Sequence, residues 1–189
     1  MFWDDSAGAT AWLTAGNYIS ISGTSLNVDA TTTNTASKVV ARDASGNFAA
    51  GVITATATQA YYADLAENYK ADADYAPGTV LVFGGREEVT ACVDHESTKV
   101  AGVVTTNPAH VMNTGLTAPH VACIALRGRV PVLVKGVVRK GDVLVTAGEG
   151  FVGYAVASIT PREVPAASVI GKAIGDKLDA GIGVIEVLI

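Results

Sequence analysis

The stretch Ala122–Val145, ACIALRGRVPVLVKGVVRKGDVLV, decides how the fold is read. It is dense in β-branched residues and is punctuated by Gly128, Gly136 and Gly141. Side chains alternate along an extended strand, so Val130, Val132 and Val134 share one face and Leu133 takes the other. Apolar residues on both faces mean that both faces are covered. Pro131 has no N–H to give to a ladder, so its amide position must point to an edge or a bulge. Arg139-Lys140-Gly141-Asp142 reads as a charged turn into a further strand, Val143–Val145.

Related chain lies on both sides of this stretch. Pro77-Gly78-Thr79-Val80-Leu81-Val82 matches Lys140-Gly141-Asp142-Val143-Leu144-Val145. Val100-Ala101-Gly102-Val103-Val104 follows the first, and Val169-Ile170-Gly171-Lys172-Ala173-Ile174 follows the second. The offsets differ slightly, so a loop has changed length between two copies of one β unit. The expected strands are Val80–Phe83, Glu88–Val93, Val100–Thr105, Val121–Arg127, Val130–Val138, Asp142–Thr146, Gly153–Val156, Val169–Ile174 and Gly183–Leu188. Their spacing suggests a barrel or sandwich. Leu81, Val103, Ile124, Val132, Leu144, Ile170 and Ile185 are its expected core. Gly78, Gly102, Gly128, Pro131, Gly141 and Gly171 are expected to hold its turns and close approaches.

Composition agrees with β structure. Valine, alanine, glycine and threonine dominate, and aromatic residues make up only 6% of the chain. A net charge of -5 leaves no basic footprint for nucleic acid. No apolar run approaches the ~20 residues of a membrane span, so no membrane insertion is expected. Met1–Asp5 lacks the basic start and apolar run of a signal peptide. Cys92 and Cys123 read as thiols within apolar strands, with their disulfide state left open.

Residues 1–60 have a different character: rich in Ala, Thr, Ser, Gly and Asn, and sparsely charged. Ile19/Ile21 and Leu26/Val28 alternate with polar residues about Ser22-Gly23-Thr24, which is a hairpin signal. Val39–Arg42 and Phe48–Thr56 about Asp43–Asn47 form a second. Isolated hairpins are marginal in water, so this segment is expected to borrow its core from other chains. Gln59–Lys70 reads as either helix or strand: Tyr61, Leu65 and Tyr69 share an i, i+4 face, but the patch is short. The boundary falls near Ala60, giving a shaft-like segment, 1–60, and a β-rich head, 61–189.

Ser37-Lys38-Val39-Val40-Ala41-Arg42-Asp43-Ala44-Ser45-Gly46-Asn47-Phe48-Ala49-Ala50-Gly51-Val52-Ile53 resembles the shaft repeats of bacteriophage tail fibres, as do Trp12-Leu13-Thr14 and Ile19–Thr24. The later chain, from Tyr62–Glu67 through Gly128–Val132 and Lys140–Asp142 to Val169–Ala173, is similar to C-terminal head domains of phage fibres and neck appendages. The resemblance implies a homotrimeric virion protein, assembled in the host cytoplasm, that caps a fibre and presents loops to a host receptor or to other virion proteins. Phe48 would then be a structural anchor of the shaft. Some relatives are intramolecular chaperones that cut themselves off near the start of this domain. That leaves an autoproteolytic alternative in which Asp64 and Glu67 are the catalytic candidates; the favoured reading is that both organise the junction between shaft and head. A carbohydrate-binding tip is the other alternative, against which stand the few aromatic residues after Tyr75.

The residues themselves give little chemistry. His95, His110 and His120 lie in separate loop-like segments, and none sits in a motif with serine or cysteine. Asp94-His95-Glu96 offers possible metal ligands, with His95 the candidate, but neighbours on a strand point to opposite faces. Gly175-Asp176-Lys177-Leu178 invites comparison with the lysine-bearing turn of lipoyl domains and reads better as a charged turn. No cofactor is expected, and the reading is a structural protein rather than an enzyme.

Overall fold

The computed structural model of the chain describes residues 2–4, 9–11, 18–22, 25–51, 63–148 and 150–189. Residues 12–14, 52–56 and 59–62, read above as shaft repeat, strand and helix-like patch, lie outside the described residues. Backbone contacts divide the chain into two units, Met1–Ala57 and Thr58–Ile189.

The first unit is a series of short strand pairs. β1 (Phe2–Asp4) pairs antiparallel with β2 (Ala9–Ala11). β3 (Ile19–Ser22) and β4 (Ser25–Val28) form the expected hairpin, with Ile19 opposite Val28 and Ile21 opposite Leu26. Among the described residues, 39–42 do not pair with 48–51, the rest of the second expected hairpin lying outside them. Instead β6 (Val39–Val40) pairs parallel with β5 (Ala30–Thr31). The cause is local: the Asp43 carboxylate accepts the N–H groups of Ser45 and Asn47 and folds residues 43–47 into a self-contained loop. Arg42 closes it by donating to the Gly46 carbonyl at 2.7 Å and stacking over the Phe48 ring.

The second unit is almost wholly β. Its strands are β7 (Asp64–Lys70), β8 (Val80–Phe83), β9 (Val89–Ala91), β10 (Val100–Val104), β11 (His110–Met112), β12 (Val121–Lys135), β13 (Val143–Thr146), β14 (Ala155–Ala157), β15 (Gly171–Ala173) and β16 (Ile182–Leu188). A 3-10 turn at Ala166–Ser168 is the only helical element among the described residues. Two expectations change. Val121–Arg127 and Val130–Val138 are one strand of 15 residues, because Gly128, at φ +122°, carries the chain through a crossing where a side chain would not fit. Gln59–Lys70 is strand from Asp64 onward, since β12 pairs with it on one side and β11 on the other, and tertiary pairing overrides the weak helical period.

The five strands β14-β13-β15-β16-β12 form a closed barrel, with β14 returning to β12 through the parallel pair Val134–Ala155. The first half repeats this order as β9-β8-β10-β12-β7, and its ends meet through a parallel bridge between Ala71 and Val89. β12 belongs to both: its first half is the last strand of one barrel and its second half opens the next.

The correspondence holds residue by residue. Gly102 pairs with Leu81 as Gly171 pairs with Leu144. The Gly78 N–H donates to the Val104 carbonyl, and its counterpart Gly141 donates to Ala173, both at 2.8 Å. Cys92 donates to Val80 as Ser158 donates to Val143. A Cβ on Gly102 would lie 2.4 Å from the Ala125 carbonyl oxygen, and one on Gly171 would lie 2.4 Å from that of Leu188. The barrel-closing pairs Ala71–Val89 and Val134–Ala155 are counterparts too. The strands match at offsets of 63, 66 and 69, read from Gly78 to Gly141, Ala91 to Ala157 and Gly102 to Gly171. The change in offset falls in the loops flanking β9 and β14.

All seven expected core residues are buried, but they fall into two clusters. Leu81 and Ile124 fill the first barrel with Ala71, Val89, Val104 and Ala122. Val103, Val132, Leu144, Ile170 and Ile185 belong to the second, which also takes in Val80 and Ala125. Alternation explains the split. Leu81 points into the first barrel, so Val80 points out of it, toward the second.

Candidate functional site

The two barrels meet along a seam on the far side of β12 from β16. The Arg129 N–H donates to the Ala63 carbonyl and the Leu133 N–H to that of Gly78. Pro131 stands between them with no N–H to give. It pairs with Glu186 in the β12–β16 ladder, and its missing donor points to the other side of β12, away from β16 and toward the seam. A cleft of about 270 Å³ opens there, lined by Ala63, Asp64, Thr105–Asn107, Arg129, Pro131 and Glu186.

Asp64 lies at the base of this cleft, only 5% exposed. Gly128 makes the placement possible: a Cβ there would come within 2.2 Å of the Ala63 carbonyl oxygen and 2.7 Å of Asp64 Cα. Asp64 Oδ2 is buried without a hydrogen-bond partner among the described residues. An unpaired buried carboxylate oxygen is costly, which marks Asp64 as the most unusual side chain in the head. Its charge acts on Cys123, whose thiol is pushed above its ordinary pKa first by burial and then by Asp64. A thiol held protonated is a poor nucleophile. Cys92 and Cys123 are both free thiols.

The other candidates are placed apart. Glu67 lies three residues along β7, on the opposite face from Asp64. The Tyr69 hydroxyl donates to it at 2.8 Å. Burial and the Glu67 carboxylate push the Tyr69 pKa up from 10.0 to about 12. The Tyr69 ring meets Phe83 edge-on with centroids 5.8 Å apart. His95 is exposed and packs its backbone against Ala147 and Gly148. Among the described residues no three His, Cys, Asp or Glu side chains converge on a possible metal position. His120 pairs with Asp74 at 2.8 Å. Gly78, Gly102, Gly128, Gly141 and Gly171 all sit at the turns and strand crossings described above, and Phe48 is exposed in the first unit.

Sequence reasoning missed the role of Lys177. Its ammonium is buried, donating to the carbonyls of Gly136 (3.1 Å), Asp179 (2.8 Å) and Gly181 (2.7 Å) and to Asp179 Oδ1 (2.9 Å). Gly183 leaves room for its stem, since a Cβ there would lie 2.6 Å from Lys177 Cε. A lysine so enclosed presents no amine to a modifying enzyme; it ties three turns together. The glycines at 181 and 183 were the available signal. Also missed was the polar pair Glu67–Tyr69, which aligns with Val130 and Val132 once the offset of 63 is applied.

No helix among the described residues is long and apolar enough to cross a membrane. Comparison with protein families, with curated proteins and with solved structures finds no match.

Proposed function

We propose that the chain is a structural and adhesive component of a homotrimeric phage tail fibre or appendage. Residues 1–60 form the shaft, and the double barrel caps it and presents loops to a host or virion partner. One observation carries the reading. The apolar residues of the first unit have strand pairing but no cover: Leu26 is 62% exposed, Val28 58% and Val40 60%, with Ile19 and Phe48 also exposed. A unit of this size buries only about 60% of its unfolded surface even when compact and is marginal by itself, and two symmetry mates would supply what is missing while keeping each copy in one environment. Light scattering on the purified chain tests it. The expected mass is three chains, and Phe48→Asp is expected to weaken trimers before the head unfolds. A monomer at micromolar concentration with full β signal from the first sixty residues refutes the shared-core shaft.

Self-cleavage is the second reading, and the unpaired Asp64 oxygen where the chain enters the head is what favours it. It requires a carboxyl able to exchange a proton with the scissile peptide. Incubation of the purified chain, followed by mass analysis, decides. A time-dependent break near Asp64–Tyr75 that Asp64→Asn abolishes supports cleavage, and an intact chain removes it.

A further inference from the structure

The duplication provides an internal standard for which surfaces are complete. In the second barrel the end of β13 is covered by Asp94–Ser97, the segment that leaves β9 of the first barrel. His95 bridges Ala147. The Glu96 N–H donates to the Thr146 carbonyl at 3.3 Å, the Ser97 N–H to Thr146 Oγ1 at 2.9 Å, and Thr146 Oγ1 to the Asp94 carbonyl at 2.6 Å. Thr146 is fully buried beneath this cover, and Val130 and Val132 are fully buried in the core of the same barrel.

The equivalent end of the first barrel has no cover among the described residues. Phe83 is the counterpart of Thr146 and is 48% exposed. Glu67 and Tyr69 are the counterparts of Val130 and Val132 and are half-buried. Glu88 joins them, its carboxylate accepting the Lys70 N–H at 2.8 Å. Neither Glu67 nor Glu88 has an ion-pair partner among the described residues. By the same topology, the segment that would cover this end is the one leaving β14, Ser158–Glu163. Beyond Ser158, whose N–H donates to the Val143 carbonyl, residues 159–163 are exposed: Ile159 is 93% exposed, against 53% for its counterpart Val93.

We propose that Ser158–Glu163 of one copy docks on the open end of the first barrel of a second copy. Ile159 packs on Phe83 and Tyr69, and Arg162 meets Glu67 and Glu88. The backbone of residues 160–163 then repeats between chains the cover that Asp94–Ser97 gives within one chain, and Ile159 and Arg162 add side-chain contacts that the internal cover lacks. Charge favours it: residues 63–128 carry eight acidic and four basic side chains, whereas residues 129–189 carry six and seven. Such an interface is head-to-tail, and head-to-tail interfaces close into rings when the rotation allows. Three copies then give a ring of six alternating barrels. The inference rests on the homotrimer reading and names the contact that holds the heads together.

The test is a cysteine pair, Phe83→Cys with Ile159→Cys, in the full chain, oxidised and run under denaturing conditions beside each single variant. The expected result is covalent trimer in the double variant and monomer in both singles, which carry the native Cys92 and Cys123 as controls. A native mass of three chains with no cross-link overturns the docking and leaves the trimer standing. A native mass of one chain overturns the trimer and the docking with it. Ile159→Asp gives an independent readout, because a side chain so exposed does not hold the single chain together. The amides of Phe83–Glu88 are expected to exchange at least ~10-fold faster in that variant at an unchanged melting temperature; unchanged exchange overturns the docking.

Discussion

Gly171→Ala tests the duplicated register directly. The added Cβ would lie 2.4 Å from the Leu188 carbonyl oxygen and 2.8 Å from Val187 Cγ1. Such contacts essentially never fall below 3.0 Å, so β15 and β16 must part by at least the 0.6 Å deficit. The obstructing atom is backbone, and β16 cannot yield, because seven consecutive pairs hold it to β12. Overpacking of this kind costs about 1–3 kcal/mol. The pairs Lys172–Leu188 and Ala173–Val187 weaken with it, at about 0.5–1.5 kcal/mol for each hydrogen bond lost. The expected total is about 3 kcal/mol, or a fall of roughly 6–12 °C in Tm for a unit of this size. Gly175→Ala is the control. It has no atom within 4 Å of the added Cβ and its φ lies outside the left-handed region, so it is expected to be neutral or to stabilise by about 0.4–1 kcal/mol. Guanidinium unfolding followed by circular dichroism gives both values. Tryptophan fluorescence reports the first unit separately, since Trp3 and Trp12 are the only tryptophans. A Gly171→Ala protein within about 0.5 kcal/mol of the native chain, the spread of neutral surface changes, refutes the register.

Val132→Asp places a carboxylate at a fully buried position and is expected to unfold the head; a soluble, cooperatively melting variant shows the strand assignment to be wrong. Lys177→Met keeps the stem but strips donors from three carbonyls and a carboxylate, with an expected loss of about 3 kcal/mol in chemical unfolding; an unchanged midpoint shows that the ammonium ties nothing. In acid, Asp179, held below the ordinary 3.8 by the Lys177 ammonium, and Asp72, held down by the Tyr75 hydroxyl, give stability that is present above about pH 4 and lost as pH falls through their folded values. The unfolding midpoint is therefore expected to be flat from about pH 5 to 7 and to drop below about pH 4, less steeply in Lys177→Met. In alkali the raised Tyr69 works the other way: its contribution is intact below pH 10.0 and is lost as pH climbs toward about 12, and Tyr69→Phe is expected to remove that loss.

Much of the head was legible because its strands obey the period of two with both faces apolar. Val80–Phe83 was read to the residue, and the paired motifs at Gly78 and Gly141 revealed the duplication without any coordinates. What escaped has physical causes. The β7 strand hid behind an i, i+4 pattern, since Leu65 and Tyr69 are spaced for a helix but held by neighbours far away in sequence. β11 is three residues with a histidine at its start, too short for any period to show. The parallel pairing of β5 with β6 was lost to a stronger local signal, the Asp43 loop. Of the candidate side chains, Asp64 is singled out by the family resemblance alone; its burial depends on Gly128, 64 residues later, and no local pattern encodes that crossing. The division of the core into two clusters was likewise unreadable, because Val80 and Leu81 differ only in which side of one strand they take.

The sharing of β12 has a mechanical consequence. The chain enters the head at Ala63, bonded to Arg129 at the middle of β12, and Ile189 exchanges hydrogen bonds with Gly128 at the same point. A pull along β7 therefore arrives at the centre of the longest strand rather than at a free edge. β7 runs antiparallel to β12 over Asp64–Lys70, so the load falls on those pairs together, in shear, instead of breaking them one after another. Neither barrel can be drawn off first, because the strand that would have to leave one is a wall of the other. A unit tied in this way is expected to give under tension in one step, with a lifetime under load that follows its unfolding rate.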